Sequence, residues 1–264
     1  MAYNVPQHAS YWGNVILTGL SATPLLREGM EHHYDLETTP GETLYLPVWN
    51  SFTVSANTAC PTPDDAKTTA SAVAVKYAIT PEEYFIKIGF CQKDLFAMKK
   101  NMQDGLLERL KLDMILDFED TAGTALAAAI TTNTYGDTSS SLEIEEFQAA
   151  KLFVQARSQG SGVICGCSTA LYAALTSRTN IDMAPIMAGV TFIVSDKAFS
   201  NSANFIYPKN LFHYGRLGKG IFFKEGFDTS SGSDFTFIYH IYAVMAIDDI
   251  DDNGVLLITQ DVAN

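Results

Sequence analysis

Apolar residues recur every three or four positions along one segment in the middle of the chain. Its regularly spaced members are Leu95, Met98, Met102, Leu106, Leu110, Met114, Phe118, Ala122, Ala125 and Ala129. This spacing predicts an amphipathic helix with one continuous buried stripe. At 1.5 Å per residue the helix would be about 50 Å long. We therefore expect a spine helix that runs across the width of the molecule.

Two segments before this helix have the composition and alternation of strands. They run from Glu42 to Val54 and from Ala72 to Phe90, and they are rich in β-branched and aromatic residues. Residues 55–69, between them, are rich in Pro, Thr, Ala and Asp, which favours a turn. The pattern predicts a long hairpin. An isolated two-stranded hairpin is marginally stable in water, so we expect it to lie on a neighbouring subunit.

The first 34 residues contain many apolar side chains but follow neither the helical nor the strand period. Glycines and a proline interrupt the pattern, which predicts an irregular arm rather than a core element. Apolar side chains on such a backbone need another surface to cover them. The predicted subunit-contact residues of the arm and the hairpin are Trp12, Leu25, Leu26, Leu46, Val48, Trp49 and Phe52.

The second half of the chain alternates between short helical and short strand patterns. Ser140–Glu143 has the form of a capping box and predicts a helix to about Arg157, and Ser168 can cap a second helix to Ser177. A turn or short helix is expected at 208–217. Strands are predicted at 162–166, 190–195, 204–207, 235–247 and 255–259. The pattern indicates an α+β region with a mixed central sheet.

The charge balance excludes one class of function. The chain has 17 basic and 30 acidic residues in 264, a net charge of −13. Proteins that read duplex DNA by sequence rely on a basic stripe, which such a balance does not favour. Residues 1–10 lack the pattern of a signal peptide, and the longest apolar run, at 235–247, is too short and polar to span a bilayer. We expect no membrane partner.

The cysteines do not have metal-ligand spacing. Cys60, Cys91, Cys165 and Cys167 contain no CxxC pair, and the run around Cys165 is apolar. We expect Cys165 and Cys167 to be reduced and buried, in a reducing compartment such as the cytoplasm.

Short motifs give no catalytic, cofactor or metal site. Nucleophile-elbow, phosphate-loop, dinucleotide-binding and zinc-protease patterns are absent, and the adjacent His32 and His33 have no third ligand at a matching spacing. Asp249–Gly254 matches the first half of a calcium loop, but Gln260 stands where a bidentate glutamate is needed. The flanks also have strand patterns. We therefore interpret this segment as an acidic hairpin turn.

The order of these elements is more informative than any motif. An apolar arm, a long hairpin and a spine helix precede a mixed sheet, which includes Gly189–Ser195 and ends in strand, acidic turn and strand within Tyr239–Thr259. This order resembles the major capsid protein of tailed bacteriophages, which has the Hong Kong 97-like fold. The resemblance implies an N-terminal arm at 1–34, an extended loop at 35–85, a peripheral domain at 86–139 and 236–264, and an axial domain at 140–235.

The resemblance also implies a function. It implies a structural virion protein of the Caudoviricetes rather than an enzyme, with no cofactor, which self-assembles as hexamers and pentamers into an icosahedral head in the host cytoplasm. The head would enclose double-stranded DNA without reading its sequence. Scaffold, portal and decoration proteins are possible partners. Two alternatives stay open: the shell of an encapsulin-like nanocompartment, and an unrelated cytosolic α+β enzyme.

Overall fold

The computed structural model describes residues 25–33, 44–49, 74–79, 81–90, 100–158, 160–177, 183–200, 202–228, 233–247 and 249–259. The helices within these ranges are Leu25–Glu28 (α1), Lys100–Ala129 (α2), Ile144–Arg157 (α3), Thr169–Thr176 (α4), Ala184–Met187 (α5) and Asp249–Asn253 (α6). The strands are Glu31–His33 (β1), Leu44–Trp49 (β2), Ala74–Ile79 (β3), Glu82–Phe90 (β4), Thr134–Tyr135 (β5), Val163–Cys167 (β6), Val190–Val194 (β7), Asn204–Pro208 (β8), Phe212–Asp228 (β9), Ser233–Ala246 (β10) and Val255–Leu257 (β11).

The spine helix forms as the apolar stripe predicts. Helix α2 has 30 residues, which corresponds to about 45 Å at 1.5 Å per residue. The stripe positions Leu110, Met114, Phe118 and Ala122 are all buried. Phe118 meets the rings of two strand tyrosines edge-on in the first of two hydrophobic cores. Residues 91–99 lie outside the described residues, and they include the predicted start of the helix at Leu95.

A four-stranded sheet packs against the spine helix, with the strand order β1-β9-β10-β4. Strands β9 and β10 form a long antiparallel pair, β4 is antiparallel to β10, and β1 is parallel to β9. The prediction of a turn or short helix at 208–217 is wrong beyond residue 211, because only Lys209–Leu211 forms a 3-10 turn before β9 begins. Glycines at 215, 218 and 220 hide the alternation of β9, and pairing with β10 overrides their low strand propensity.

A second, five-stranded mixed sheet has the order β5-β11-β8-β6-β7. Its central strands β6 and β8 are buried along their whole length, and residues of α3 and α4 complete a second core over it. The prediction of a terminal hairpin is wrong here. Strand β11 pairs with β8 and β5 instead of with β10, and the acidic segment between β10 and β11 is the short helix α6 rather than a hairpin turn.

The predicted hairpin exists, but its second arm is shorter than expected. Strands β2 and β3 pair antiparallel, with Leu44 opposite Ile79 and Trp49 opposite Ala74. The prediction of a single extended segment from Ala72 to Phe90 is wrong, because the chain leaves the hairpin after Ile79. Pro81 follows the end of β3, where it has no N–H to offer a ladder. Strand β4 then joins the four-stranded sheet.

Helix α3 starts three residues later than predicted, because its N-cap is Glu143 instead of Ser140. Glu143 is its N-cap residue, and the Glu143 N–H donates to Glu146 Oε2 at 3.0 Å. The backbone N–H of Ser140 instead donates to Asp137 Oδ1, at 2.8 Å. The cap of α4 is confirmed, since the Leu171 N–H donates to Ser168 Oγ at 3.3 Å. Local hydroxyl-rich sequence therefore marks the approach to α3 but not its first residue.

The two sheets cut across the predicted domain ranges. Strand β9 belongs to the range 140–235 but pairs with β10, which falls mostly in 236–264. Strand β11, from the last range, pairs with β8. The chain thus passes between the sheets twice in its C-terminal half, and the spine helix lies beside both.

Candidate assembly surface

The end of the predicted arm is part of the subunit's own core. Leu26 and Met30 have no exposed surface and lie among residues of the spine helix and both sheets. Gly29 permits this close approach, because a Cβ there would lie 2.6 Å from both the Tyr207 hydroxyl and Ile193 Cδ1. The prediction that Leu26 makes a subunit contact is therefore wrong. Trp12 and the side chain of Leu25 lie outside the described residues.

His32 helps to fix this segment. Its Nε2 lies 2.6 Å from the Arg27 carbonyl oxygen, and its ring meets Tyr214 edge-on at 5.6 Å. Burial lowers the pKa of His32. Strand β1 continues this attachment by pairing with β9, where Glu31 Oε2 lies 4.0 Å from His213 Nδ1. Throughout the part of the chain that the structure describes, no three His, Cys, Asp or Glu residues are grouped to hold a metal.

The hairpin of β2 and β3 is a two-stranded sheet of its own. Residues alternate between the two faces of a strand, and directly opposite residues share a face. Positions 46 and 48 therefore lie on one face with 75 and 77, and all four residues are apolar. Position 49 lies on the other face, with Pro47 and Lys76. The predicted contact residues Leu46, Val48 and Trp49 thus occupy both faces, and Phe52 lies outside the described residues.

A groove of about 550 Å³ opens between strand β4 and the spine helix. Strand β4 is the last strand of its sheet among those described. The residues that line the groove are Glu83, Tyr84, Phe85 and Ile86 from β4, and Leu110, Asp113, Met114 and Asp117 from the helix. Phe85 is 60% exposed, which is unusual for a large aromatic side chain. An exposed aromatic ring beside a sheet edge marks a candidate contact surface.

Acidic groups surround the apolar floor of this groove. Asp113 is paired with Arg109, at 2.9 Å and 3.2 Å between their side-chain atoms. Burial raises the pKa of the Asp117 carboxyl, and the nearby Asp120 raises it further. Glu83 adds a third carboxyl. The groove therefore complements a partner surface that is apolar and also carries a cation.

Sequence reasoning did not find this groove. The alternation around Phe85 indicates a strand and the stripe around Leu110 indicates a helix, but the two segments come together only in the folded subunit. The one available signal was Phe85 itself. It follows Tyr84 on the strand and therefore lies on the opposite face of the sheet. Tyr84 packs on the core.

The two described cysteines are buried and free, as predicted. Cys165 and Cys167 lie on β6 with no exposed surface, and neither is in a disulfide. The neighbouring Cys167 thiol and burial both raise the pKa of Cys165, which disfavours the reactive thiolate. Cys60 and Cys91 lie outside the described residues.

Asp251, in the segment that resembles a calcium loop, binds the backbone after the spine helix. Its carboxylate accepts from the Thr131 N–H at 2.6 Å and from the Thr132 N–H at 2.9 Å. A hydrogen bond from the Thr132 hydroxyl, together with these two backbone bonds, lowers the pKa of Asp251. Asn133 Nδ2 donates to the Asp251 carbonyl at 2.9 Å. The acidic segment therefore fastens the C-terminal strand to the end of the spine helix.

No family model and no curated protein matches this sequence. Solved structures do match. A virus-like particle from Pyrococcus furiosus has a TM-score of 0.67 at 10% identity, over 95% of this chain and 99% of that chain. The capsid of Ralstonia phage GP4 has a TM-score of 0.63 at 9% identity, over 89% of this chain and 88% of that chain. The capsid of the cyanophage P-SCSP1u has a TM-score of 0.61 at 9% identity, over 89% and 88%. The chain has the Hong Kong 97-like capsid fold.

This result confirms the predicted α+β capsid fold. The arm residue Leu26 is the one predicted contact residue whose side chain the structure describes, and it lies in the core. The other contact residues stay predictions. Within the described ranges, no helix is long and apolar enough to cross a membrane.

Proposed function

We propose that the chain is the major capsid protein of a tailed bacteriophage, and that it acts as a structural subunit rather than as an enzyme. The supporting observation is that its likeness to a virus-like particle and to phage capsids extends over nearly the whole of both chains. In this proposal, copies assemble as hexamers and pentamers into an icosahedral head in the host cytoplasm. The product is a virion component.

Contacts between copies would involve the hairpin and the arm. The hairpin is a two-stranded sheet that shares no strand pair with either larger sheet, and such a ribbon gains stability when another surface covers it. We infer that it lies on a neighbouring copy through Leu46, Val48, Trp49 and Phe52, with Trp12 and Leu25 contributing from the arm. Each copy both gives and receives the same contact, so the contact repeats around a closed shell.

The groove beside β4 is the best candidate for the receiving surface. One face of the hairpin carries Trp49 together with Lys76. The groove offers an exposed Phe85 and the carboxyls of Glu83 and Asp117. An aromatic residue beside a cation on one surface therefore complements an aromatic residue beside carboxylates on the other.

The charge of the chain fits a container for DNA. A net charge of −13 disfavours tight binding of phosphates, and packaged DNA retains its own counterions. We propose that double-stranded DNA is enclosed without sequence-specific contacts. Scaffold, portal and decoration proteins would be further partners. We keep the predicted arm, loop, peripheral and axial ranges as a proposal for the assembled subunit, with strand pairs that cross between the peripheral and axial ranges.

The test is the assembly state of the full chain. Purified protein would be examined by sedimentation velocity and electron microscopy over a range of concentration and salt. Closed shells, or rings of five and six, would support the proposal. A small monomer under every condition, above all one with a catalytic turnover, would contradict it and favour the enzyme.

An encapsulin-like nanocompartment is the second candidate. The supporting observation is that the chain is similar to a virus-like particle as well as to phage capsids. Native particles would distinguish the two shells by their contents. Nuclease-protected DNA supports the phage head, whereas a defined protein cargo without DNA supports the compartment.

A further inference from the structure

Three contacts join the middle of the spine helix to the loop at 195–199 that follows β7. The Ser195 hydroxyl donates to Glu119 Oε2 at 2.6 Å. Lys197 Nζ lies 3.2 Å from Asp120 Oδ1. Farther along the helix, a Cβ at Gly123 would collide with the Ala198 carbonyl, so helix and loop touch through their backbones. We name these six residues the spine latch: Glu119, Asp120, Gly123, Ser195, Lys197 and Ala198.

The loop side of the latch is itself held by the five-stranded sheet. The Ser195 N–H donates to the Cys167 carbonyl at 3.1 Å. Asp196 accepts from the Thr169 N–H and hydroxyl, both at 2.7 Å, at the first turn of α4. The latch therefore connects the spine helix to β6 and α4. A change at Glu119 acts on the attachment between the helix and this sheet.

Glu119 is an unusual residue for this position. The residue is 2% exposed, and its Oε1 has no hydrogen-bond partner among the residues that the structure describes. An ionised carboxylate in such a place loses its hydration without gaining a cation, which is costly. Burial, the larger effect, raises the pKa of Glu119, while the hydrogen bond from Ser195 lowers it.

The charged groups on the elements around Glu119 have other partners or lie on the surface. Asp120 follows it on the helix and is paired with Lys197, and both are exposed. Asp196 on the loop is paired with Thr169. Asp117 faces the groove beside β4. Helix α1, which also contacts the spine helix, carries Glu28, which is exposed, and Arg27, whose guanidinium lies over the Tyr214 ring.

We propose that Glu119 makes the spine latch a proton-controlled connection between the spine helix and the five-stranded sheet. The latch is closed while the carboxyl carries its proton and loosens when the carboxyl ionises. The folded state holds this proton more tightly than the unfolded chain does. The latch is therefore most stable at pH values below the usual pKa of a glutamate carboxyl, and its stability falls as pH rises through the higher pKa of the folded state. The inference concerns the subunit itself and does not depend on shell formation.

Hydrogen exchange of the full chain over a pH series tests this proposal. Exchange in peptides that cover 119–123 and 195–199 would be corrected for its intrinsic dependence on pH. After this correction, we expect the exchange rate of these peptides to rise in one step as pH increases. Glu119→Gln should lack this step. Ser195→Ala removes the bond that favours the ionised form, so its step should move to higher pH. Lys197→Ala is the matched control, and it should raise exchange without moving the midpoint.

Infrared difference spectra provide a second readout. The wild-type protein should show a protonated carboxyl band that disappears over the same pH range, and Glu119→Gln should lack this band. Absence of the exchange step, its persistence in Glu119→Gln, or a Ser195→Ala midpoint that stays or falls would each overturn the proposal. If Glu119→Gln does not fold, the direction of the Ser195→Ala shift decides.

Discussion

Tyr84 on β4 stacks on Tyr242 on β10, with ring centroids 4.5 Å apart and an interplanar angle of 16°. Tyr242 in turn meets Phe118 of the spine helix at 5.2 Å. The stack fixes Tyr84 on the side of the strand that faces the core. The next residue, Phe85, therefore lies on the opposite side and stays exposed. The stack thus leaves Phe85, rather than Tyr84, as the exposed aromatic residue of the groove.

Phe85→Ala should impair assembly more than folding. Because the side chain is 60% exposed in the subunit, we expect a change in the free energy of unfolding below about 1 kcal/mol. Loss of an aromatic contact repeated in every copy should reduce particle yield severalfold or more. Leu152→Ala on α3, also exposed at 55%, is the matched control. Equal particle yields from the two variants would contradict the assignment of the groove.

Met114→Asp should prevent folding, because it places a charge on the buried stripe. The cost in the free energy of folding is roughly several kcal/mol. Circular dichroism and denaturant unfolding measure this. Leu112→Asp, on the same helix at a residue that is 44% exposed, should fold. A folded Met114→Asp subunit would show that the stripe is not the core contact of the helix.

Changes to the hairpin should separate assembly from folding. Trp49→Ala, or a shorter tip between Ala56 and Thr68, should leave a soluble, folded subunit that assembles poorly. A large aromatic residue at an interface often contributes about 2 kcal/mol or more. Circular dichroism and particle yield would be measured together. Normal shells from the shortened tip would refute its role, and unfolding of Trp49→Ala would assign Trp49 to the subunit core.

Asp251→Asn should destabilise the subunit by up to about 1 kcal/mol, because the amide keeps an acceptor oxygen but replaces charge-assisted hydrogen bonds with neutral ones. The effect should depend on pH. Hydrogen bonds lower the pKa of Asp251 in the folded state. Its contribution to the free energy of unfolding is therefore complete at pH values above the usual pKa of an aspartate, and it is lost as pH falls through the lower pKa of the folded state. Unfolding curves across the acid range measure this, with the neighbouring Asp252→Asn as control. Equal pH profiles for the two variants would argue against the proposed fastening.

Cys165 and Cys167 should resist thiol reagents in the native protein. Both are buried, and the pKa of Cys165 is raised. In a Cys60→Ser, Cys91→Ser background, labelling should proceed only as fast as the protein opens. Rapid labelling of both thiols, or stoichiometric zinc in the purified protein, would contradict the buried, metal-free interpretation.

The amino-acid sequence by itself determined the elements whose patterns are local. The stripe from Leu95 to Ala129 specified the spine helix, because spacings of three and four place all its members on one side. The apolar runs of β6 and β7 and the cap at Ser168 were equally readable. The order of these elements resembles that of the capsid fold, and this resemblance indicated the fold.

The tertiary structure alone decided which elements meet. Strand β9 is interrupted by glycines and forms because β10 pairs with it. Strand β11 has a normal strand pattern, yet only the packing shows that it joins β8 in the other sheet. Leu26 has the pattern of an arm residue, but Gly29 lets its segment enter the core. The groove at Phe85 and the latch at Glu119 join residues distant in the chain. Periodicity reports a residue's neighbours along the chain, whereas burial depends on partners that only the folded chain brings together.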